Sequence, residues 1–412
     1  MTAKTVAVIG AGVAGLTAAY LLQRRYDVFL FEAEPRLGGH AHTHDVPGAG
    51  AVDSGFIVHN ERTYPNLLRL FAELGVATQE SEMSMSVRCL GCGLEYAGAR
   101  RLRGLFPRAG NAVQARYLRM LAEIPQFHRH ARRVLRHGGE DVTLGEFAAG
   151  YSRYFTQHFL LPMVSAVWSA PEKVSRAYPV RYLFEFLAHH GLLAVSGSPA
   201  WRTVAGGSRE YVERAAKGLT AVHVGTPVRS VQRHAGGVAV TDDAGEAHVV
   251  DRVVLATHAD QALGLLADPT REEKEVLGAF SYSRNETWLH SDSSLLPSSP
   301  GARASWNYLK PSCAGAERVL VSYDMNRLMR LSSPTPQVVT LNATDRVEQS
   351  KVLAKMTYSH PVYTPESVAA QRLLPGLNTG RTAFAGAYHG WGFHEDGCAS
   401  GVRATAAFGV TW

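Results

Sequence analysis

Three groups of residues in this chain have types and spacings that could do chemistry. His59-Asn60-Glu61-Arg62 follows Asp53-Ser54-Gly55-Phe56, and either Glu61 or His59 carries the right group for a general base. The competing reading makes Asn60 a cap on the helix encoded by RTYPNLLRLFAEL and leaves Glu61 open. Cys89 and Cys92 form C-x-x-C, a spacing used by redox dithiols and by metal sites. A zinc site needs about four ligands. Cys313 and Cys398 are distant in the chain and unpaired, so no metal is expected, and the two cysteines read as the turn of a hairpin, SMSVRCLGCGLEYAG. Further on, Tyr388, His389, Trp391 and Phe393 share one glycine-rich loop. Aromatic side chains serve pockets and packed loops alike. Tyr388 and Trp391 stand as catalytic candidates on that basis.

The elements that must position these groups are legible at both ends of the chain. TVAVIGAGVAGLTAAYLL places Gly10, Gly12 and Gly15 in G-x-G-x-x-G between a β-branched strand and a helix. Gly10 permits the tight turn, Gly12 lets the backbone approach a pyrophosphate, and Gly15 allows close helix–strand packing. The helix start presents free N–H groups and partial positive charge to phosphates. A second strand, DVFLFEAE, ends at Glu32, about 20 residues on, where an acid accepts hydrogen bonds from ribose hydroxyls. The tail AFAGAYHGWGFHEDGCASGVRATAA predicts a strand, a loop and another helix. Gly386, Gly390, Gly392 and Gly397 would let that loop pass close to a flat ligand. Glu395 and Asp396 precede the helix, whose N–H groups suit developing negative charge.

Glu32 leads into EPRLGGHAHT, so Arg36, Gly38 and Gly39 complete E-x-x-x-R-x-G-G. Here the chain resembles the FAD-binding fold of the amine oxidase and phytoene desaturase superfamily. The likeness continues through VDSGFIVHNERTYPNL, RCLGCGLEY, LPMVSAVWSAP, WRTVAGGSREYVERAA, ATHADQAL, ETWLHSDSSLLP, SWNYL, YSHPVYTPES and GWGFHEDGCASG. Together these look like a branch of bacterial flavoproteins typically encoded beside cyclopropane-fatty-acid synthase-like methyltransferases. The resemblance implies FAD held by Gly10, Gly12, Ala14 and Gly15 at the pyrophosphate and by Glu32 and Ala33 at the ribose. Arg36, Gly38, Gly39 and His40 would run toward the flavin, and Gly55 and Phe56 would begin the segment that passes its reactive face. Val228 would touch the adenine side, and Ala256 would return the chain to the dinucleotide. Gly386, Gly392, Phe393 and Glu395 would line the flavin from the tail. Amine oxidases of this kind often carry a Lys holding a water at flavin N5, and no lysine here sits in an obvious flavin-facing motif.

The chain has 412 residues, is 46% hydrophobic, and alternates strand and helix patterns, as an α/β protein does. The expected fold is a discontinuous Rossmann-type FAD domain (1–74, 201–267 and 381–412) with an inserted α+β substrate domain (75–200 and 280–380). The first insertion reads as mostly helical and the second as strand-rich. The intervening LTAVHVGTPVRSVQRHAGGVAVTDDAGEAHVVDRVVLATHA reads as strand, strand, turn, strand and buried strand. Without an apolar leader or a run approaching about 20 apolar residues, a cytoplasmic protein is expected. The net charge of +6 is concentrated: from Arg100 to Arg136 there are ten arginines and one acid, Glu123. These read as helices broken near Pro125, with a basic face suited to anionic membranes; no nucleic-acid motif accompanies them.

No second dinucleotide fingerprint follows a strand. Electrons would therefore pass to oxygen, a quinone or a partner protein, or return to the substrate as in an olefin isomerase. The preferred expectation is an FAD-dependent oxidoreductase taking hydride from a lipid acyl chain or another apolar substrate, through a tunnel lined by Phe155, Leu160, Met163, Trp168 and Phe184. The alternatives are an amine oxidase making imine and hydrogen peroxide, and an auxiliary flavoprotein partnering a lipid-modifying methyltransferase.

Overall fold

A computed structural model describes residues 4–137, 142–193, 198–315, 318–343 and 345–412. The β-branched run Thr5–Ile9 is buried at four of its five positions, as the centre of a parallel sheet requires. On one side it pairs with Asp27–Glu32 (Val6 opposite Val28, Ile9 opposite Phe31), and on the other with Arg252–Leu255 (Val8 opposite Val254). Ala221–Val224 and Thr382–Phe384 complete five parallel strands at the edges. The helix Val13–Leu22 is buried over nine of its ten residues. The tail helix His394–Ala406 lies directly against it: a Cβ at Gly401 would lie 2.5 Å from the Ala14 carbonyl oxygen, and one at Gly397 would lie 2.7 Å from Val13. That close approach places the two helix starts side by side.

The other face of the sheet is covered by an antiparallel sheet of Val228–His234, Gly237–Asp242 and Ala247–Val250. Ala247–Val250 is a strand the sequence reading passes over. Val231, Val238, Val240 and Val250 pack there against Ala7, Ile9, Val253 and Leu255.

The two insertions meet in one seven-stranded sheet. Its order is Val352–Val362, Ser281–His290, Val338–Leu341, Val321–Asp324, Trp306–Lys310, Met85–Cys89, Glu95–Ala97. All neighbours are antiparallel except Trp306–Lys310 and Met85–Cys89, which run parallel with Lys310 opposite Cys89. Two expectations are corrected here. The helix Ala115–Arg136 continues unbroken through Pro125. The proline removes one backbone donor, but Tyr117, Met120, Phe127 and Ala131 are fully buried on both sides of it, and that packing outweighs the missing bond. Nor is Cys313 distant from the C-x-x-C turn. The parallel register carries it to the hairpin, with its Sγ 3.8 Å from that of Cys89. Among the described residues, no helix is long and apolar enough to cross a membrane.

Candidate functional site

Gly10 ends the first strand with φ +98°. A Cβ there would press on the Ala256 carbonyl oxygen at 2.7 Å, and one at Gly15 would overlap the Gly10 carbonyl oxygen. Gly12 is different. It caps the helix with extended geometry, no side chain caps the first turn, and a Cβ on it would meet nothing within 4 Å. The first turn therefore offers unclaimed N–H groups to open space, as a diphosphate requires. Glu32 stands at the end of the neighbouring strand, where its carboxylate accepts from the N–H groups of Ala11 (2.7 Å) and Glu34 (2.9 Å). Thr226 donates to the Glu32 carbonyl at 2.8 Å, which brings the start of Val228–His234 to the same end. Ala33 beside Glu32 is exposed, whereas Ala14 is buried in the helix–helix contact.

The next segment closes on the same place. A Cβ on Gly39 would lie 3.1 Å from Gly12 Cα. The Arg36 guanidinium donates to the Gly39 carbonyl at 2.8 Å, so it fixes its own loop. Phe56 N–H donates to the His40 carbonyl (2.7 Å), and the Phe56 ring stacks on His394 at 3.8 Å and 7°. Residues 10–15, 36–40, 55–59 and 390–397 are thus brought together. Around His40 lies a polar set with no spacing rule to announce it. Tyr358 bonds Ser54 (2.8 Å) and His42 (3.2 Å), and His44 bonds Ser54 (2.8 Å). His360 contacts Asn285 (3.0 Å), and His258 stacks on Tyr282. Burial pushes these imidazoles down, His42 to about 3 and His360 to about 4. For His40, burial acts together with its neighbour His360. They are neutral near pH 7.

The catalytic candidates separate. Glu61 is exposed on its turn, away from the buried His59. His59 is completely buried against Phe71, with neither ring nitrogen bonded, and burial lowers it to about 4. Leaving such atoms unsatisfied costs about 1–3 kcal/mol each. Asn60 accepts from the N–H groups of Arg62 (3.0 Å) and Thr63 (2.9 Å), and so shapes the turn before the helix. The helix itself begins at Pro65, and Glu395 caps it by accepting from Asn66 N–H (3.0 Å) and Leu67 N–H (3.0 Å). Glu395 is therefore committed to that cap, not to the flavin.

Further expectations about the tail and the tunnel are corrected. The Tyr388 side chain is fully buried beside Phe280 in the core and fills the space a Gly386 side chain would need. Gly392 makes room for the Tyr363 hydroxyl, 2.8 Å from where its Cβ would be. Those glycines admit protein side chains. Trp391 and Phe393 do join an aromatic cluster with Tyr182, Phe186 and His190; Phe393 stacks on Phe186 at 4.7 Å. Trp391 Nε1 is buried without a partner. Lastly, Phe155, Leu160 and Phe184 are wholly buried, with Phe127 5.6 Å from Phe184, so the expected tunnel wall is packed core.

Two helix starts brought side by side, an acid at the end of the second strand and the close approach of Gly39 to Gly12 have the geometry of a dinucleotide-binding fold. The family model for flavin containing amine oxidoreductases matches residues 13–407, and the chain belongs to that family. It is 30% identical over 260 residues to AofH of Mycobacterium tuberculosis, whose name places it among the flavin-containing monoamine oxidases. That alignment covers 59% of this chain and 54% of AofH, so the chain spans about half the length of the curated relatives it matches. In fold it is similar to a fatty acid isomerase from P. acnes that produces CLA (TM-score 0.69, 17% identity, 98% of this chain and 99% of that one). It is similar also to cyclohexylamine oxidase from Brevibacterium oxydans (TM-score 0.68, 15% identity, 98% of both).

Proposed function

We propose that the chain takes hydride from an apolar substrate, with a lipid acyl chain as the first candidate, either introducing a double bond or moving one. The observation that carries this reading is the character of the side chains beside the Gly12–Gly39 approach and the tail loop. They are aromatic (Phe56, Trp391, Phe393, Phe186) or imidazoles held neutral by burial. Such a surface favours uncharged carbon over an ion. When bound, FAD supplies the hydride acceptor at N5. The Gly12 helix start would hold the diphosphate, and Glu32 would accept from the ribose. The start of the tail helix would favour negative charge brought near it on reduction. His59, neutral and unpartnered, can donate or accept one hydrogen bond without adding charge.

A second reading, oxidation of an amine to an imine with release of hydrogen peroxide, draws support from the name of AofH and from the fold likeness to cyclohexylamine oxidase. Anaerobic titration of the yellow protein, first with unsaturated phospholipid and then with amines, separates the two. Bleaching by lipid alone supports acyl-chain oxidation, and bleaching by amines alone overturns it. If neither bleaches, mass spectrometry of the recovered lipid reports double-bond movement; unchanged lipid would sink the acyl reading. Dependence on an added lipid-modifying methyltransferase would favour the auxiliary role.

A further inference from the structure

The cysteines that the sequence separates are gathered by the fold. Cys89 and Cys92 lie at the hairpin turn between Met85–Cys89 and Glu95–Ala97. Cys313 follows the strand Trp306–Lys310, and His158 projects from a helical stretch. The four ligand atoms all lie within 4.8 Å of one another. All four cysteines of the chain are free thiols.

We propose that Cys89, Cys92, His158 and Cys313 bind one zinc ion in a closed tetrahedral Cys3His site. Zinc sits about 2.3 Å from thiolate sulfur and about 2.0–2.1 Å from imidazole nitrogen. Tetrahedral angles then require sulfurs about 3.8 Å apart and a sulfur–nitrogen separation of about 3.6 Å. Cys89 Sγ and Cys313 Sγ are 3.8 Å apart, and Cys92 Sγ and His158 Nε2 are 3.6 Å apart. The first spacing is far too long for a disulfide, whose sulfurs are about 2.05 Å apart.

The surroundings are those of a metal ligand set. His158 Nδ1 lies 3.2 Å from the Tyr154 carbonyl, which fixes the proton on Nδ1 and turns the Nε2 lone pair toward the sulfurs. His158 sits within a π-helical turn, Thr156–Leu160, a local widening that often marks a functional position. Gly93, directly after the second cysteine, is left-handed with φ +71°, and its N–H donates to the Cys89 carbonyl at 2.9 Å. A Cβ on Gly91 would lie 2.8 Å from the Cys313 backbone nitrogen, so only glycine lets the Cys313 segment approach the turn this closely. Three thiolates with an imidazole select a soft or borderline ion and disfavour calcium or magnesium.

Binding deprotonates three thiols, releases three protons and leaves a site of net charge −1 with neutral His158. The Arg116 guanidinium lies over the Tyr154 ring at 5.1 Å, and the Tyr154 hydroxyl is 3.9 Å from Cys92 Sγ, which puts positive charge near the excess negative. No position is left for substrate, so the ion is structural. It ties the hairpin, the helical insertion and the Cys313 segment into one body.

The test is elemental analysis of the full-length holoprotein after gel filtration in EDTA, with zinc dialysis as a second arm. One zinc per chain is expected. Exchange with cobalt should give a thiolate-to-cobalt charge-transfer band, and Cys92→Ser and Cys313→Ser should each lose most of the metal. Cys398→Ala, whose thiol lies beside Thr17, should keep its zinc. A metal-free protein that takes up no zinc on dialysis would overturn the assignment. A Cys89–Cys313 disulfide found by mass spectrometry, or stoichiometric iron in place of zinc, would do the same. The wild-type stoichiometry and cobalt spectrum decide the matter even where a variant fails to fold.

Discussion

Gly12 and Gly15 belong to one fingerprint, yet alanine at the two positions should fail in different ways. Gly12 has φ −70° and ψ 179°, which alanine adopts freely, and the space beside its Cα is open to 4 Å. Gly12→Ala should therefore leave the flavin-free protein as stable as wild type within about 1 kcal/mol. If the open space is where the diphosphate lies, the added methyl instead displaces the cofactor. FAD present at 100 times its dissociation constant stabilises a protein by about 2.7 kcal/mol; a hundredfold weaker complex at the same concentration retains only about 0.4 kcal/mol. The expected loss of FAD-dependent stabilisation is thus about 2.3 kcal/mol. Gly15→Ala should damage the protein before any flavin is added, because its Cβ would overlap the Gly10 carbonyl oxygen. Forcing such an overlap typically costs about 1–3 kcal/mol. Urea unfolding of both variants, with and without FAD, reads these quantities directly. A Gly12→Ala protein that keeps stoichiometric flavin and the full stabilisation would refute the placement of the diphosphate.

Lys310 is fully buried with Nζ 2.6 Å from Glu172, so Lys310→Met should cost about 3–5 kcal/mol by stranding the carboxylate, and Glu172→Leu added to it should recover most of that in denaturant melts. A loss under 1 kcal/mol would contradict the pairing. His59, His190, His290 and His360 are each lowered from 6.5 to about 4, so the unfolded chain binds more protons between those values and stability should fall as pH drops from about 6.5 to 4. Asp53 and Asp396, raised to about 6 and about 7, act in the opposite sense but are fewer; a flat or rising profile on acidification would show the histidines are not held neutral. Glu61→Gln should turn over normally with flavin retained, whereas His59→Ala should lower kcat at least tenfold with the visible spectrum intact; the reverse pattern would restore Glu61 as the base. Leu102, Val113 and Leu118 stand exposed within the arginine-rich 100–136 segment, and vesicles of anionic lipid should retain the protein at low salt but not at 0.5 M. Equal recovery from neutral vesicles would end the membrane proposal.

The legible parts of this fold are those whose signal is local. Gly10, Gly12, Gly15 and Glu32 announce themselves because a turn, a helix start and an acid fall within one short stretch. The hairpin around Cys92 is legible for the same reason. Cys313 is not, since it meets Cys89 only through a parallel pairing across more than 200 residues, and the register that places Lys310 opposite Cys89 leaves no mark in either strand alone. Glu395 misleads because an acid at a helix start suits its own helix, while its real partners, Asn66 and Leu67, belong to another. Tyr388 and the expected tunnel residues Phe155 and Phe184 show the same limit: aromatic type does not say whether a ring faces a pocket or a core. Pro125 shows that burial on both sides can carry a helix past a missing donor.

The tight seat of Gly401 on Ala14 also sets an order of events during synthesis. One wall of the nucleotide cleft is synthesised well before its counterpart, so a nascent chain carries a half-made cleft until the second helix follows. Flavin capture then becomes a late checkpoint. A chain stalled or clipped before the helix His394–Ala406 would lack that wall however well its other parts had folded, so retained flavin should report that this helix has docked.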